Sequence, residues 1–112
     1  MSYEYLIRCQ YNDVESLFKS IGDAASENRD VEKKLVDGKM FLKDRSLPST
    51  WSYDVSIKKG SDGVRVVLVG WSFNLYDIFK RAVQGFDIEV LDEDTEEYIS
   101  IKDLFRIKKG PD

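Results

Sequence analysis

The alternation of apolar and polar positions is clearest in residues 51–71, where it predicts a β-hairpin. Over residues 51–59 every second position is apolar, a period that is typical of a strand with one buried face. The positions that share this apolar face are Trp51, Tyr53, Val55 and Ile57. Residues 60–63 supply a glycine-rich turn. Residues 64–71 then return as a nearly continuous apolar strand, which we expect in the middle of a sheet.

Two segments have the spacing of amphipathic helices instead. The first follows Asn12, which together with Glu15 has the form of a capping box. The second begins at Asn74 and ends before Gly85, which occupies the position of a C-terminal cap. The apolar stripes are Val14, Leu17, Phe18 and Ile21 in the first helix, and Leu75, Ile78, Phe79, Ala82 and Val83 in the second. Each stripe predicts a helix that packs on a sheet.

The other segments complete a mostly antiparallel sheet. Strands are predicted at residues 3–9, at 39–43 after the Asp37–Gly38 turn, at 86–91 and at 98–101. A last apolar segment contains Leu104, Phe105 and Ile107. Residues 31–36 are ambiguous and are compatible with one or two helical turns. The order predicts an α+β two-layer sandwich, with both helices on one face of the sheet, near the ferredoxin-like arrangement.

Length and composition fit one soluble domain that spans residues 1–112. Hydrophobic residues make up 42% of the chain and charged residues 34%, as in ordinary globular proteins. The single cysteine, Cys9, excludes an internal disulfide, and we expect it to be an inert thiol in the core. No apolar run approaches the roughly 20 residues that cross a bilayer, and residues 1–10 lack the layout of a signal peptide. We therefore expect a cytoplasmic protein with no membrane partner.

The chain contains no histidine, which argues against most enzyme chemistry. Histidine is the side chain most used for proton transfer near neutral pH and the commonest transition-metal ligand. No glycine-rich phosphate loop is present, because residues 60–63 lack the lysine and the following helix that such a loop needs. We therefore expect no catalytic residues, no cofactor and no metal site.

The net charge of −4 points to a protein partner rather than to nucleic acid. Phosphate backbones are bound by clustered Lys and Arg, whereas a basic protein matches an acidic surface. The acidic side chains of the predicted last hairpin are Asp92, Glu93, Asp94, Glu96 and Glu97. They are interpreted in three ways: as a solvated turn that protects a sheet edge, as a docking surface for a basic partner, or as a metal or catalytic cluster.

Aromatic residues form a second candidate binding set. Trp51, Tyr53 and Trp71 belong to the residue types that dominate the energetics of protein interfaces, because they bury large areas with few rotatable bonds. Either a core position or a surface anchor fits each tryptophan. Trp51, which lies beside Pro48, is the better candidate for an anchor.

In size, acidity, aromatic content and lack of catalytic residues, the chain resembles the immunity proteins of bacterial toxin systems, such as contact-dependent inhibition and related polymorphic toxins. The resemblance implies a cytoplasmic protein that neutralises a cognate toxin, such as a basic nuclease, by covering its active site. Two other function classes stay open. One is an adaptor module that recognises a peptide through a sheet edge, and the other is an enzyme that relies on carboxylates and tyrosines.

Overall fold

An antiparallel sheet of seven strands forms the framework of the computed structural model, which describes residues 3–48 and 50–107. The strands are β1 (Tyr3–Arg8), β2 (Val31–Val36), β3 (Lys39–Asp44), β4 (Val55–Lys59), β5 (Gly63–Leu68), β6 (Glu89–Asp92) and β7 (Glu97–Ile99). Their order across the sheet is β2-β3-β4-β5-β1-β6-β7, and each neighbouring pair is antiparallel. The first strand therefore lies inside the sheet, between the central hairpin and the last one.

Two helices cover one face of this sheet and confirm the predicted α+β class. Helix α1 (Val14–Ser26) contacts β2, β4 and β5, and packs against α2 (Phe73–Ala82). A third, short helix, α3 (Ile101–Leu104), packs against α2. The apolar stripes of α1 and α2 bury Leu17 and Ile21, and Leu75 and Phe79, in one core with the inner sheet face. Among the described residues, no helix is long and apolar enough to cross a membrane.

The two faces of the sheet differ in chemistry. The face toward the helices contributes buried apolar side chains from four strands, namely Met40 and Leu42, Val55 and Ile57, Val64, Val66 and Leu68, and Tyr5 and Ile7. The opposite face, here called the open face, carries Lys34, Lys39, Phe41, Ser56, Lys58, Arg65, Val67, Glu4 and Leu6. Most of these side chains are polar or charged, and several are exposed, as expected for the solvated side of an antiparallel sheet.

Two predicted segments differ in the structure. Residues 31–36 form β2 rather than helical turns, because the turn at Asp37 and Gly38 has positive φ angles of 51° and 80° that fold β2 back onto β3. Strand β4 begins at Val55 rather than at residue 51. Consequently Trp51 and Tyr53 precede the strand and do not share the buried face of Val55 and Ile57.

The last predicted strands are shorter than expected. Strand β6 begins at Glu89, so residues 86–88 precede it, and β7 consists only of Glu97–Ile99. The apolar segment that follows begins with α3, which Ser100 and Asp103 open with a capping box. The tight pairing of β6 with β7 confirms the predicted acidic hairpin.

The helix caps also differ from the predicted ones. Helix α1 follows a 3₁₀ turn at Tyr11–Asp13, and no side chain caps it. The cap of α2 is Ser72, whose hydroxyl accepts a hydrogen bond from the Leu75 amide. Asn74 lies inside the helix and donates from its side chain to Asp44 instead. Gly85, with a φ of 86°, lies two residues beyond the C-cap of α2.

Candidate functional site

The exposed aromatic residues and the acidic hairpin turn lie at the same end of the sheet. Antiparallel pairing places the end of β3, the start of β4, the end of β5, the start of β1 and the β6–β7 turn side by side. We call this region the upper end. It therefore joins two sets of residues that are about 20 to 40 positions apart in the sequence.

A shallow aromatic groove occupies the middle of the upper end. Its walls are Leu47, Pro48, Trp51, Val69, Gly70 and Trp71, and its volume is about 240 Å³. Trp51 is 58% exposed and Trp71 is 39% exposed, so both tryptophans lie at the surface and not in the core. Phe73, at the first turn of α2, is 65% exposed. Large exposed aromatics around one groove are typical of a protein-binding surface.

Arg106 connects the aromatic groove to the acidic turn. Its guanidinium carbon lies 4.2 Å from the centre of a Trp71 ring and 4.4 Å from the centre of the Tyr3 ring. The Tyr3 and Trp71 rings themselves meet edge to face, with centres 6.1 Å apart. Cation–π contacts of this kind hold exposed rings in fixed orientations. Trp71 therefore contacts both Tyr3 and Arg106 while one side of its ring stays at the surface.

The surroundings of Tyr5 show that the acidic turn is close to this cluster. Burial raises the pKa of the Tyr5 hydroxyl, while the nearby Arg106 guanidinium lowers it and the carboxylates of Asp92 and Asp94 raise it further. These groups come from β1, from the segment after α3 and from the β6–β7 turn. The aromatic groove, Arg106 and the acidic turn therefore lie close together at the upper end.

The acidic turn consists of residues 92–97, and its carboxylates have different roles. Asp92 accepts hydrogen bonds from the amides of Asp94 and Thr95 and so shapes the turn. Glu93 forms an ion pair with Arg65. The remaining acidic side chains, Asp94, Glu96 and Glu97, are exposed and form no ion pair with any residue that the structure describes. Three of the five predicted carboxylates are therefore available to a partner.

Tyr53 is separate from the other predicted aromatics. Its ring packs edge to face on Phe41, with ring centres 5.1 Å apart, and Phe41 belongs to the open face. The predicted grouping with Trp51 assumed that strand β4 extends back to residue 51. Because β4 begins at Val55, Tyr53 contributes to the open face and not to the aromatic groove.

Two buried aspartates support the groove from below. Asp44 accepts hydrogen bonds from the Ser72 hydroxyl at 2.5 Å, from the backbone and hydroxyl of Ser46 at 2.9 and 2.7 Å, and from Asn74. Burial acts to raise the pKa of Asp44, but these hydrogen bonds outweigh it and hold the pKa below its usual value. The carboxylate thereby ties the start of the β3–β4 connection to the start of α2.

Asp54 fixes the other side of the groove. Its carboxylate accepts the Asp44 amide at 2.8 Å and lies 3.7 Å from the Lys43 ammonium. Its backbone carbonyl accepts the amides of Val69 and Gly70. A Cβ atom on Gly70 would lie 2.7 Å from the Asp54 carboxylate, so only glycine fits there. Neither aspartate, nor Arg106, was recognisable from the residue pattern of the chain.

Two other kinds of site, a metal site and a reactive cysteine, depend on the geometry of the described residues. Within residues 3–48 and 50–107, no three His, Cys, Asp or Glu side chains are arranged to hold a metal ion. Cys9 is half-buried at the margin of the core, at the opposite end of the sheet, where its amide donates to the Asp62 carbonyl. Burial raises the pKa of the Cys9 thiol, and Asp13 and Asp62 raise it further. A thiol in this state is a poor nucleophile.

No family model, no curated protein and no solved structure matches this chain.

Proposed function

We propose that this protein binds a basic protein partner through its upper end. The observation that carries the proposal is that the aromatic groove and the acidic turn lie at the same end of the sheet. Trp51 and Trp71 offer a large apolar area to a partner, while Asp94, Glu96 and Glu97 offer unpaired negative charge beside it. Aromatic anchors surrounded by charged residues form the usual anatomy of a specific interface.

The two parts of the upper end would act at different stages of binding. Exposed carboxylates attract a basic surface over a distance of about 8 Å at physiological ionic strength and so raise the association rate. The tryptophans would bury their rings after contact and slow dissociation. Contacts of Arg106 with Trp71, and of Asp44 with Ser72, would lower the conformational entropy lost on binding.

The partner class that fits best is a bacterial toxin domain, with this chain as its cytoplasmic, non-enzymatic immunity protein. Many toxins act on nucleic acid and carry a basic active-site surface. A carboxylate-rich turn beside an aromatic anchor would occupy such a surface where phosphates would bind. The features that favour this partner class are the exposed tryptophans and the exposed carboxylates of the acidic turn.

A sheet edge is the alternative binding site. Strand β2 lies at one edge of the sheet, and the side chains of Leu35 and Val36 on it are 59% and 51% exposed. An extended peptide could add to this edge through backbone hydrogen bonds. Charged Glu32, Lys33 and Lys34 on the same strand act against such pairing, as in other protected edges.

Co-expression tests the proposal in cells. The protein should rescue growth of cells that express a toxin encoded immediately upstream of its own gene. The Trp51→Ala and Trp71→Ala double variant should lose the rescue. Tyr11→Ala, which removes an aromatic side chain that is 76% exposed outside the upper end, should keep it. Rescue that survives the double variant would contradict the proposed site, and loss of rescue on mutating only β2 would favour the sheet edge.

Association kinetics test the role of the acidic turn. The triple variant Asp94→Asn, Glu96→Gln and Glu97→Gln should associate about tenfold more slowly at low salt, and the difference should shrink at high salt. The matched control removes three exposed carboxylates in and just after α1: Asp23→Asn, Glu27→Gln and Asp30→Asn. Equal association rates for both triple variants would contradict a specific role of the acidic turn, because they would show that only the net charge of the protein affects association.

A further inference from the structure

The open face carries a row of three cations in direct register. Lys39 on β3 lies opposite Lys58 on β4, and Lys58 lies opposite Arg65 on β5. Side chains that face each other across neighbouring antiparallel strands have Cβ atoms only about 5 Å apart. We call Lys39, Lys58 and Arg65 the cationic row. It crosses the sheet on the side away from the helices.

Like charges placed directly opposite each other destabilise a sheet. Within the cationic row only Arg65 has an anionic partner, Glu93, at 2.5 Å. Lys39 and Lys58 are exposed, and neither forms an ion pair with a residue in the described part of the chain. The fold therefore holds a concentrated positive charge on a chain whose net charge is −4.

The flanks of the row restrict what could lie on it. Beyond Lys39 the register continues to Val36 on β2, and beyond Arg65 it continues to Leu6, Leu91 and Tyr98 on β1, β6 and β7. Val36 and Tyr98 are exposed apolar or aromatic positions. Glu4 and Glu93 lie on or beside the open face next to Arg65. An anionic ligand that reached Arg65 would be repelled there, whereas a short acidic segment confined to Lys39 and Lys58 would not.

We propose that the open face binds a short acidic protein segment whose carboxylates lie over Lys39 and Lys58, the two cations of the row without an ion pair among the described residues. This site adjoins the acidic turn through the Arg65–Glu93 ion pair but takes a ligand of opposite charge, so it does not rest on the proposed function. Lysines hold such carboxylates as point charges, and exposed Val36, which lies opposite Lys39, accepts an apolar side chain at that end of the row.

A titration with a hexaglutamate peptide at low salt tests the site. Backbone amide shifts in the NMR spectrum should change on β3, β4 and β5 and little on α1 or α2. The Lys39→Gln and Lys58→Gln double variant should bind at least about fivefold more weakly. The matched control, Lys19→Gln and Lys80→Gln, removes two exposed lysines from α1 and α2 and should bind as the unmodified protein does. Equal weakening in both variants, or no binding, would overturn the proposal.

Two further measurements distinguish an acidic-segment site from a disturbed fold and from a nucleic-acid site. Lys58→Glu places an anion between Lys39 and Arg65, so it should raise the thermal midpoint while abolishing peptide binding. Loss of binding with a lowered midpoint would instead indicate a disturbed fold and count against the site.

Oligothymidylate is the second probe. If oligothymidylate bound more tightly than the peptide, with shifts at Phe41 and Tyr53, the ligand of the open face would be a single-stranded nucleic acid rather than an acidic segment.

Discussion

Asp44 shows how one buried side chain supports a surface site. It accepts hydrogen bonds from the Ser72 hydroxyl, from Ser46 and from Asn74, and it is fully buried. The acceptor capacity of an ionised carboxylate is matched by these donors. The loops that carry the aromatic groove are thus held by one carboxylate beneath them.

The lowered pKa of Asp44 makes this support sensitive to acid. A carboxylate whose pKa is depressed in the folded protein stabilises it above the unfolded-state pKa of about 4, and this stability is lost as the pH falls through the folded-state value. We expect the free energy of unfolding to decrease below about pH 4. Asp44→Asn should cost about 1–3 kcal/mol at pH 7 and should make the acid decrease shallower.

Chemical denaturation at pH 7 and pH 3 would measure both effects. Asp23→Asn is the matched control, because Asp23 is exposed and, among the residues that the structure describes, its ion pair is with Lys19 in the same helix. An acid decrease of the same size in Asp44→Asn and in the unmodified protein would rule out the assigned role of Asp44.

At the scale of single residues, one part of the candidate site could be predicted from residue type. The other part depends on tertiary contacts. The tryptophans were recognisable because few residues bury as much area, and the acidic turn was recognisable as a run of carboxylates. Arg106 gave no such signal, because its role depends on rings that are 35 and 103 positions away in the chain. The same holds for Asp44 and Asp54, whose burial follows from the packing of two loops.

At the scale of an element, the connection between β4 and β5 allows a prediction about its two end glycines, Gly60 and Gly63. Gly63 has a φ of 153°, and a Cβ atom there would overlap the backbone carbonyl of Ile7 on β1. Gly60, in the same turn, has room for a Cβ atom at ordinary contact distance. We expect Gly63→Ala to cost at least about 2 kcal/mol, and Gly60→Ala to cost much less.

Thermal unfolding of the two alanine variants would check this difference. Both substitutions add one methyl group to the same connection, so the general effect of alanine in a turn cancels. Similar midpoints for both variants would mean that β1 and β5 can separate at Gly63 without loss of stability.

The hydrophobic period predicted the correct type of element wherever one face of that element is buried and the other is solvated. That condition holds for α1, for α2 and for the hairpin of β4 and β5, which were all predicted. Strand β2 was ambiguous because most of its side chains are exposed, so burial leaves little periodic signal. The boundaries at Asn12, residue 51 and Asn74 were wrong, because caps and strand ends depend on partners distant in the chain.

At the scale of the whole molecule, two regions carry clusters of opposite charge. Carboxylates gather on the acidic turn, and the exposed lysines of the cationic row gather on the open face. The α+β class was predictable from the order of elements, but this separation was not. It depends on the strand order, which places β1 between β5 and β6 and so brings distant charges onto shared surfaces.

Across the molecule, the absence of histidine predicts stability that hardly depends on pH between about 6 and 8. Ordinary carboxylates titrate near pH 4 and lysines above pH 10, and the raised pKa of Cys9 keeps this thiol outside the range. Thermal midpoints measured across these pH values should agree within about 5 °C. A larger change would reveal a strongly shifted carboxylate.

The position of Trp51 and Trp71 has an optical consequence. They are the only two tryptophans in the sequence, and both lie exposed at the upper end. Indole emission moves toward the blue when water is excluded, so covering the aromatic groove would shift nearly all of the tryptophan fluorescence. Unfolding would shift mainly the emission of Trp71, whose ring packs against Tyr3 and Arg106, and less that of the more exposed Trp51. The intrinsic tryptophan fluorescence therefore reports on binding at the surface that we assign to the partner.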